Sequence, residues 1–377
     1  MIMKALNICR VTHALYPDVV GGHAIYCHEL SSRQSRLGHE IEVVTVRRDK
    51  LPRRERSKTG YEISRYENVW MPWDALGMAN PFALPIYGAV RVSKCDLVDA
   101  HSPLFWTTVL SVKAALDSAK PAITTVHGVM ALRDWLTNTS QLIYLKSVGT
   151  WLLRNSTRVI CLTRADAREV RDLGVPVRNI RIVPVGVDTA LFRPGKGKRK
   201  GIAWVGRIVP EKGLDVLLEA LAKVRKRIHV HTIIAGDGPL RGKLIRRAHE
   251  LKLSDSVTFV RQKNRRDVAR MLAQSLVYVL PSRREGLPLA LLEAMAAGNT
   301  VVASDLPSTR EVLGEAGLYY SCKDPDELAE RLLMALEDRK LCRRFGREVR
   351  DTVHRRFRWE SVLPALSEVY GEAVKSS

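Results

Sequence analysis

No apolar run in the 377-residue chain approaches the eighteen or so residues that a membrane-spanning helix needs. The opening "MIMKALNICR" meets charge too early for a secretory signal. Both absences predict a cytoplasmic protein. Cysteine is scarce and unpaired: Cys9, Cys27, Cys95, Cys161, Cys322 and Cys342 form no CxxC, so neither a disulfide scaffold nor a zinc site is expected. Aromatic residues make up only 6% and are not interleaved with basic ones on strands, as RNA-binding sheets require. There is no Walker loop. Acidic residues are outnumbered, 40 against 61 Lys and Arg, leaving a net charge of +21. Such a charge implies a phosphate-rich partner, whether nucleic acid, anionic membrane or nucleotide. The excess is spread over both halves of the chain, so a solvated basic surface accounts for most of it.

What is present is a regular alternation of short β-rich runs and helical patterns. "ALNICRV", "IEVVTV", "AITTVHG", "RVICLT" and "RIVPVGV" occupy the first half, and "IAWVG", "VHTIIAG", "SVTFV", "LVYVL" and "TVVAS" the second. This predicts an α/β protein with two Rossmann-like domains, their parallel sheets covered by helices and facing a central cleft. The pattern breaks at "LFRPGKGKRKG" into Pro, Gly and Lys. The expected division is a domain over 1–192, a linker over 193–200 and a second domain over 201–357. A final helix, 358–377, is expected to return to the first domain.

In open α/β sheets, ligands bind beyond the carboxyl ends of strands. Gly21 and Gly22 lie in such a place, as do Gly206, Arg207 and Lys212, Gly236 and Gly238, and Glu285, Gly286 and Leu287. Pro288 is expected near the first helical position, aiming the amides of Gly286 and Leu287 outward as an anion site. Glu285 and Glu293 would then bracket a diphosphate, each carboxylate accepting hydrogen bonds from hydroxyls at one end of the ligand. The plainer alternative, a helix-surface charge and a first-turn dipole partner, stays open on the residues alone. Two other motifs fall away. "GDGPLRG" has its third glycine out of register for a dinucleotide fingerprint. "DPD", Asp324 to Asp326, precedes a helix and reads as its cap rather than a metal site.

"GRIVPEKG", "AGDGP" and "EGLPLALLEAMAAGNTVVASD", together with "GGHAIYCHELSSRQSRLGHEIEVVTV", "VDAHSP", "TTVHG" and "IRIVPVGVDTALFRP" in that order, resemble the retaining glycosyltransferases of family 4, which have the GT-B fold. The resemblance runs from about Val11 to Tyr370. It implies an enzyme that transfers a sugar from a UDP- or GDP-linked donor to a saccharide or lipid-linked acceptor, forming an α-glycosidic bond. No metal or cofactor is expected, because side chains and helix amides supply the positive charge at the diphosphate and the sequence offers no convincing metal site. It further implies that Arg207 and Lys212 clamp the diphosphate, that Glu285 and nearby amides hold the sugar, and that Glu293 holds the ribose. Gly21 and Gly22 would admit the phosphates and acceptor, and His127 would face the transferred sugar. His101 is left open between a supporting position and a packed core histidine. Val185, "GNTVV" and "VTFVRQKNRRD" depart from the family pattern and bear on the base pocket. The alternatives are a nucleotide-sugar epimerase or other GT-B enzyme and, from a different class, a non-catalytic basic nucleic-acid-binding protein; the latter gives the two glutamates no role.

One stretch points to a membrane. "RRDKLPRRERSK", Arg47 to Lys58, is followed by the Trp-rich "VWMPWDALGMANPFALPIYG". A basic cluster beside an apolar segment suits peripheral contact with an anionic bilayer. The alternative is a solvated loop beside aromatic residues, Trp70, Trp73 and Phe82, that pack inward or line a soluble acceptor's site.

Overall fold

The computed structural model describes residues 5–48, 50–70, 81–128 and 135–376. The chain divides into two compact units, one formed by Met1–Pro184 with Leu363–Ser377 and the other by Val185–Val362. Each is built around its own sheet.

The first unit carries β1 (Asn7–Val11), β2 (Glu40–Val46), β3 (Arg54–Arg56) and β4 (Glu62–Tyr66), then a two-stranded antiparallel ribbon of β5 (Val69–Trp70) and β6 (Pro81–Phe82). It continues with β7 (Leu97–His101), β8 (Ala122–Val126), β9 (Arg158–Cys161) and β10 (Ile180–Ile182). The main sheet runs β10-β9-β8-β7-β1-β2-β4-β3, parallel except for the exposed edge strand β3. β7 and β8 are buried along their whole length, as strands covered on both faces must be. From β1 the chain builds outward to β2 and β4, then returns to place β7 on the other side of β1. That reversal separates the loops leaving β1 and β7.

The second unit has β11 (Ile202–Val205), β12 (Thr232–Ala235), β13 (Val257–Val260), β14 (Val277–Leu280), β15 (Thr300–Ser304) and β16 (Gly317–Tyr320), in the order β13-β12-β11-β14-β15-β16. All are parallel. Here the order reverses between β11 and β14, and ligands of open α/β sheets bind at such a switch point. The helix Leu214–Val224 covers one face with Leu214, Leu217, Leu218, Leu221 and Val224. Asp324 caps the helix Pro325–Glu337 through the amides of Asp326 and Glu327, at 2.9 and 3.0 Å, as the "DPD" motif predicts.

The division falls earlier than the Pro-Gly-Lys run over 193–200. That run is packed rather than spanning: Phe192 is buried, Arg199 donates to the Ala297 carbonyl at 3.0 Å, and a Cβ on Gly195 would lie 2.6 Å from the Ala273 carbonyl oxygen. Upstream, Gly186 lies so close to the Trp359 ring that a Cβ there would approach it to 2.3 Å. The final helix, Trp359–Lys375, is shared: its first residues belong to the second unit and those from Leu363 to the first.

Candidate active site

At the switch point of the second unit, two loops are locked together by their own contacts. The loop leaving β11 turns through Pro210–Lys212 to Gly213, whose φ of 63° is left-handed. A Cβ on Gly213 would sit 1.9 Å from the Pro281 carbonyl oxygen, so only glycine lets this turn approach the loop leaving β14. Arg283 latches the pair. Its amide donates to the Glu211 carbonyl at 2.8 Å, and its guanidinium reaches the Pro210 carbonyl and, at 2.5 Å, the Asp215 carboxylate. Burial works against ionisation of Asp215, yet the Arg283 contact outweighs it and lowers its pKa.

The latch delivers Lys212 to Glu285. Lys212 Nζ donates to Glu285 Oε1 at 2.6 Å, and Ser282 Oγ donates to the same oxygen at 2.5 Å. Ser308 Oγ holds the Glu285 carbonyl at 3.0 Å. Both side-chain bonds fall on Oε1; among the described residues Oε2 accepts none. The Glu285 side chain is 7% exposed and that of Lys212 23%, so the carboxylate is nearly buried and the ammonium partly open to solvent. Arg207, on the same loop, is exposed.

Glu293 has a cation partner of its own. It lies on the buried face of the helix Leu289–Ala296 and accepts from Arg265 Nη1 at 2.7 Å, while the Arg265 guanidinium lies 5.0 Å over the Phe192 ring. Both carboxylates are felt by Tyr278, whose phenol burial first, and the charges of Glu285 and Glu293 next, hold well above its ordinary range. Pro288 is the residue before the helix, and Leu289 the first within it. Leu287 is buried and Gly286 half-buried.

The glycines separate into two kinds. A Cβ on Gly236 would lie 1.9 Å from the Gly206 carbonyl oxygen, and one on Gly238 2.4 Å from that of Ile208. The loops also exchange backbone bonds, Ile208 N–H to Asp237 at 2.8 Å and Leu240 N–H to Ile208 at 3.3 Å. Packing alone therefore requires Gly236 and Gly238. Gly21, by contrast, has an ordinary extended φ of −174° and a Cβ there would meet nothing within 4 Å. The fold gives no reason for glycine at that position.

In the first unit, polar residues gather at the ends of β1, β7 and β8. Asp99, wholly buried on β7, takes three bonds on Oδ2: from Arg10 Nε at 2.9 Å, from Tyr370 OH at 2.6 Å, and from His101 Nε2 at 3.2 Å. These charges overcome the effect of burial and depress its pKa. His101 Nδ1 meets His127 Nε2 at 3.1 Å. His23 bridges Thr12 Oγ1, 2.6 Å from Nε2, and Ser102 Oγ, 3.1 Å from Nδ1. Its ring centroid lies 4.6 Å from that of His127. His13 stacks on Phe105. Burial and the neighbouring imidazoles push His23 and His127 down, towards the neutral form. For His101 burial also opposes charge, but Asp99 prevails and raises it to about 9.

Several of these residues escaped the sequence reading. Arg283, Ser282, Ser308 and Arg265 flank the glutamates in three dimensions but carry no motif of their own. Arg10 looks like an intruder in an apolar strand, and its partner Asp99 is 89 residues away. An arginine within a strand otherwise reading as core was the available signal, since a buried charge demands a partner.

Two sheets of this kind, each with polar strand ends at its switch point, define the GT-B architecture. Residues 20–191 match the model described as "Glycosyltransferase Family 4", and residues 188–352 the one described as "Glycosyl transferases group 1". The chain belongs to the family 4 glycosyltransferases and is a sugar-transferring enzyme. Among relatives, the MMP alpha-(1->4)-mannosyltransferase of Mycolicibacterium hassiacum is 29% identical, the alignment covering 94% of this chain and 95% of that one. Among solved structures, the sucrose-phosphate synthase of Thermosynechococcus elongatus superposes with a TM-score of 0.83 at 21% identity, covering 98% and 100% of the two chains. Anabaena HepE, solved with UDP-glucose, gives 0.78 at 16% identity over 99% and 100%.

Proposed function

We propose that the enzyme moves a sugar from a UDP- or GDP-linked donor to a saccharide or lipid-linked acceptor and retains the α configuration. The observation that carries this reading is the Lys212–Glu285–Ser282 arrangement at the switch point of the second unit, where a cation and a carboxylate are presented side by side. Lys212 and Arg207 supply positive charge to the departing diphosphate, the group on which charge grows as the glycosidic bond breaks. The amides around Gly206, Gly286 and Leu287 add to it. Glu285, with Oε2 unused, accepts from the sugar's hydroxyls. Glu293 accepts from the ribose, its carboxylate oriented by Arg265. In the first unit, Gly21 and Gly22 leave room for a ligand to reach the backbone, and His127 faces the transferred sugar. The acceptor is assigned to this unit. HepE, solved with UDP-glucose, supports a UDP donor, while Val185, "GNTVV" and "VTFVRQKNRRD", which depart from the family pattern, leave GDP open.

The rival reading is an epimerase or another GT-B enzyme that uses the same clamp. Incubation with labelled UDP- and GDP-sugars separates them: a transferase releases nucleoside diphosphate and makes a new glycoside with an acceptor. An epimerase returns an isomerised nucleotide-sugar and releases no diphosphate.

The two glutamates should differ in kinetics. Glu293→Gln is expected to raise the donor's KM with kcat little changed, because ribose contacts alter little during reaction. Glu285→Gln should lower kcat as well, because the sugar it holds becomes cationic at the anomeric carbon. Equal effects on kcat contradict the assignment.

We further propose peripheral contact with anionic membrane through the basic run. All three residues of β3 are exposed, with Arg56 only 3.4 Å from Glu62, and Arg53 a similar 3.4 Å from Glu67. Trp73 and the Trp70 side chain lie outside the described residues, and Phe82 is half-buried against Trp106. No helix among the described residues is long and apolar enough to cross a membrane. Each interfacial Lys or Arg contributes about 1 kcal/mol on anionic lipid. Co-sedimentation with anionic vesicles should therefore be strong at low salt and lost when Arg53, Arg54 and Arg56 are changed to Ser. Binding unaffected by those changes assigns the contact elsewhere.

A further inference from the structure

The contact between His101 Nδ1 and His127 Nε2, at 3.1 Å, is a hydrogen bond between two imidazoles and holds a single proton. On its other side His101 Nε2 meets Asp99 Oδ2, an acceptor, so this nitrogen carries a proton in either state. Two arrangements satisfy the geometry. If His101 is an imidazolium, it donates from both nitrogens, His127 accepts on Nε2, and the His127 proton resides on Nδ1. If His101 is neutral, its Nδ1 accepts, and His127 carries its proton on Nε2 instead. The direction of one hydrogen bond thus decides which face of His127 donates.

We propose that Asp99, acting through His101, fixes His127 as the neutral ring protonated at Nδ1, so that His127 serves the transfer reaction as a hydrogen-bond donor and not as a base. This rests on the role given to His127 above and names the residues that set it. Asp99 and His101 are positioning residues. The carboxylate is itself immobilised, wholly buried, by Arg10 from β1 and Tyr370 from the last helix. The groups facing His101 are Asp99 on β7, His23, Tyr26 and Cys27 on the helix Gly22–Arg36, and His127 after β8, while Arg10 on β1 and Tyr370 on Trp359–Lys375 share Asp99 Oδ2 with it. Arg10 is a like charge, and it shares the Asp99 carboxylate oxygen with His101, at 2.9 Å against 3.2 Å. Asp99 and Cys27 favour the charge, and their effect prevails over burial to raise His101 to about 9. At neutral pH, below that value, His101 holds its second proton and the bond runs from His101 to His127.

The test is the nitrogen-15 spectrum of the histidine rings at pH 7, with His127 assigned by loss of its signals in His127→Gln. The expected result in the unaltered enzyme is a His127 ring with protonated Nδ1 and bare Nε2, beside a His101 ring protonated on both nitrogens. A His127 ring protonated on Nε2 overturns the proposal, and this measurement needs no Asp99 variant to fold. In Asp99→Asn the His127 proton should move to Nε2, with kcat reduced at least about tenfold and the donor's KM nearly unchanged. An unchanged His127 ring in folded Asp99→Asn also overturns it. The spectra do not depend on turnover: the expected pattern together with a fully active His127→Gln sustains the proton placement and removes His127 from the reaction.

Discussion

Lys212→Ala is expected to lower kcat by about a hundredfold or more with the protein still folded, the loss typical of removing a charge that stabilises a transition state. Lys212 is held at 2.6 Å from Glu285 by a turn that only glycine at 213 permits and that Arg283 ties to the loop leaving β14. Its ammonium is therefore placed in advance, and little rearrangement is needed when the diphosphate departs. The substitution also leaves Glu285 with Ser282 alone on Oε1, so some weakening of donor binding accompanies the loss of turnover. Arg207→Ala should fall in the same direction, with a smaller effect because Arg207 is exposed and its charge is screened. Steady-state kinetics on both variants, with melting curves to confirm folding, checks this. Near-normal kcat in Lys212→Ala removes it from the clamp.

Asp99→Leu should produce the largest loss of stability, about 3–5 kcal/mol, because it strands a buried arginine. Arg10 and Asp99 have no exposed side-chain surface. With the carboxylate gone, the guanidinium keeps Ser31, Gln34 and Tyr370 as hydrogen-bond partners but loses its counter-charge. Charged His101 is stranded with it. In a unit of this size the melting transition should fall by roughly 6–20 °C. Adding Arg10→Met should restore much of it, since a buried ion pair exchanged for apolar side chains is often neutral or stabilising, whereas breaking one partner is not. A double variant no more stable than Asp99→Leu contradicts the ion-pair explanation.

How legible these features were depends on whether their cause is local. The strands of both parallel sheets announce themselves as apolar runs such as "LVYVL" and "TVVAS", because burial on both faces leaves no polar face to dilute the pattern. β3, an exposed edge strand written Arg-Glu-Arg, carries no such pattern and follows only from its pairing with β4. The same distinction governs the site. Lys212, Glu285 and Glu293 stand in recognisable motifs. What the motifs did not carry is that Glu293 faces Arg265, or that Arg283 joins the two loops, since these contacts bridge 28 and 68 residues of chain. The glycines show the converse. Gly236 and Gly238 look like places for a ligand, but backbone contact with Gly206 and Ile208 accounts for them, while at Gly21 packing explains nothing.

The most direct test is to follow the reaction by proton NMR, supplying an α-linked UDP- or GDP-sugar that stabilises the protein in a thermal-shift screen together with saccharide and lipid-linked acceptors. The account predicts nucleoside diphosphate appearing in step with a new glycoside whose anomeric signal has the small coupling of an α-linked gluco-configured sugar, or the corresponding one-bond carbon–proton coupling for mannose. A β-linked product, or an epimerised nucleotide-sugar with no diphosphate released, would contradict it.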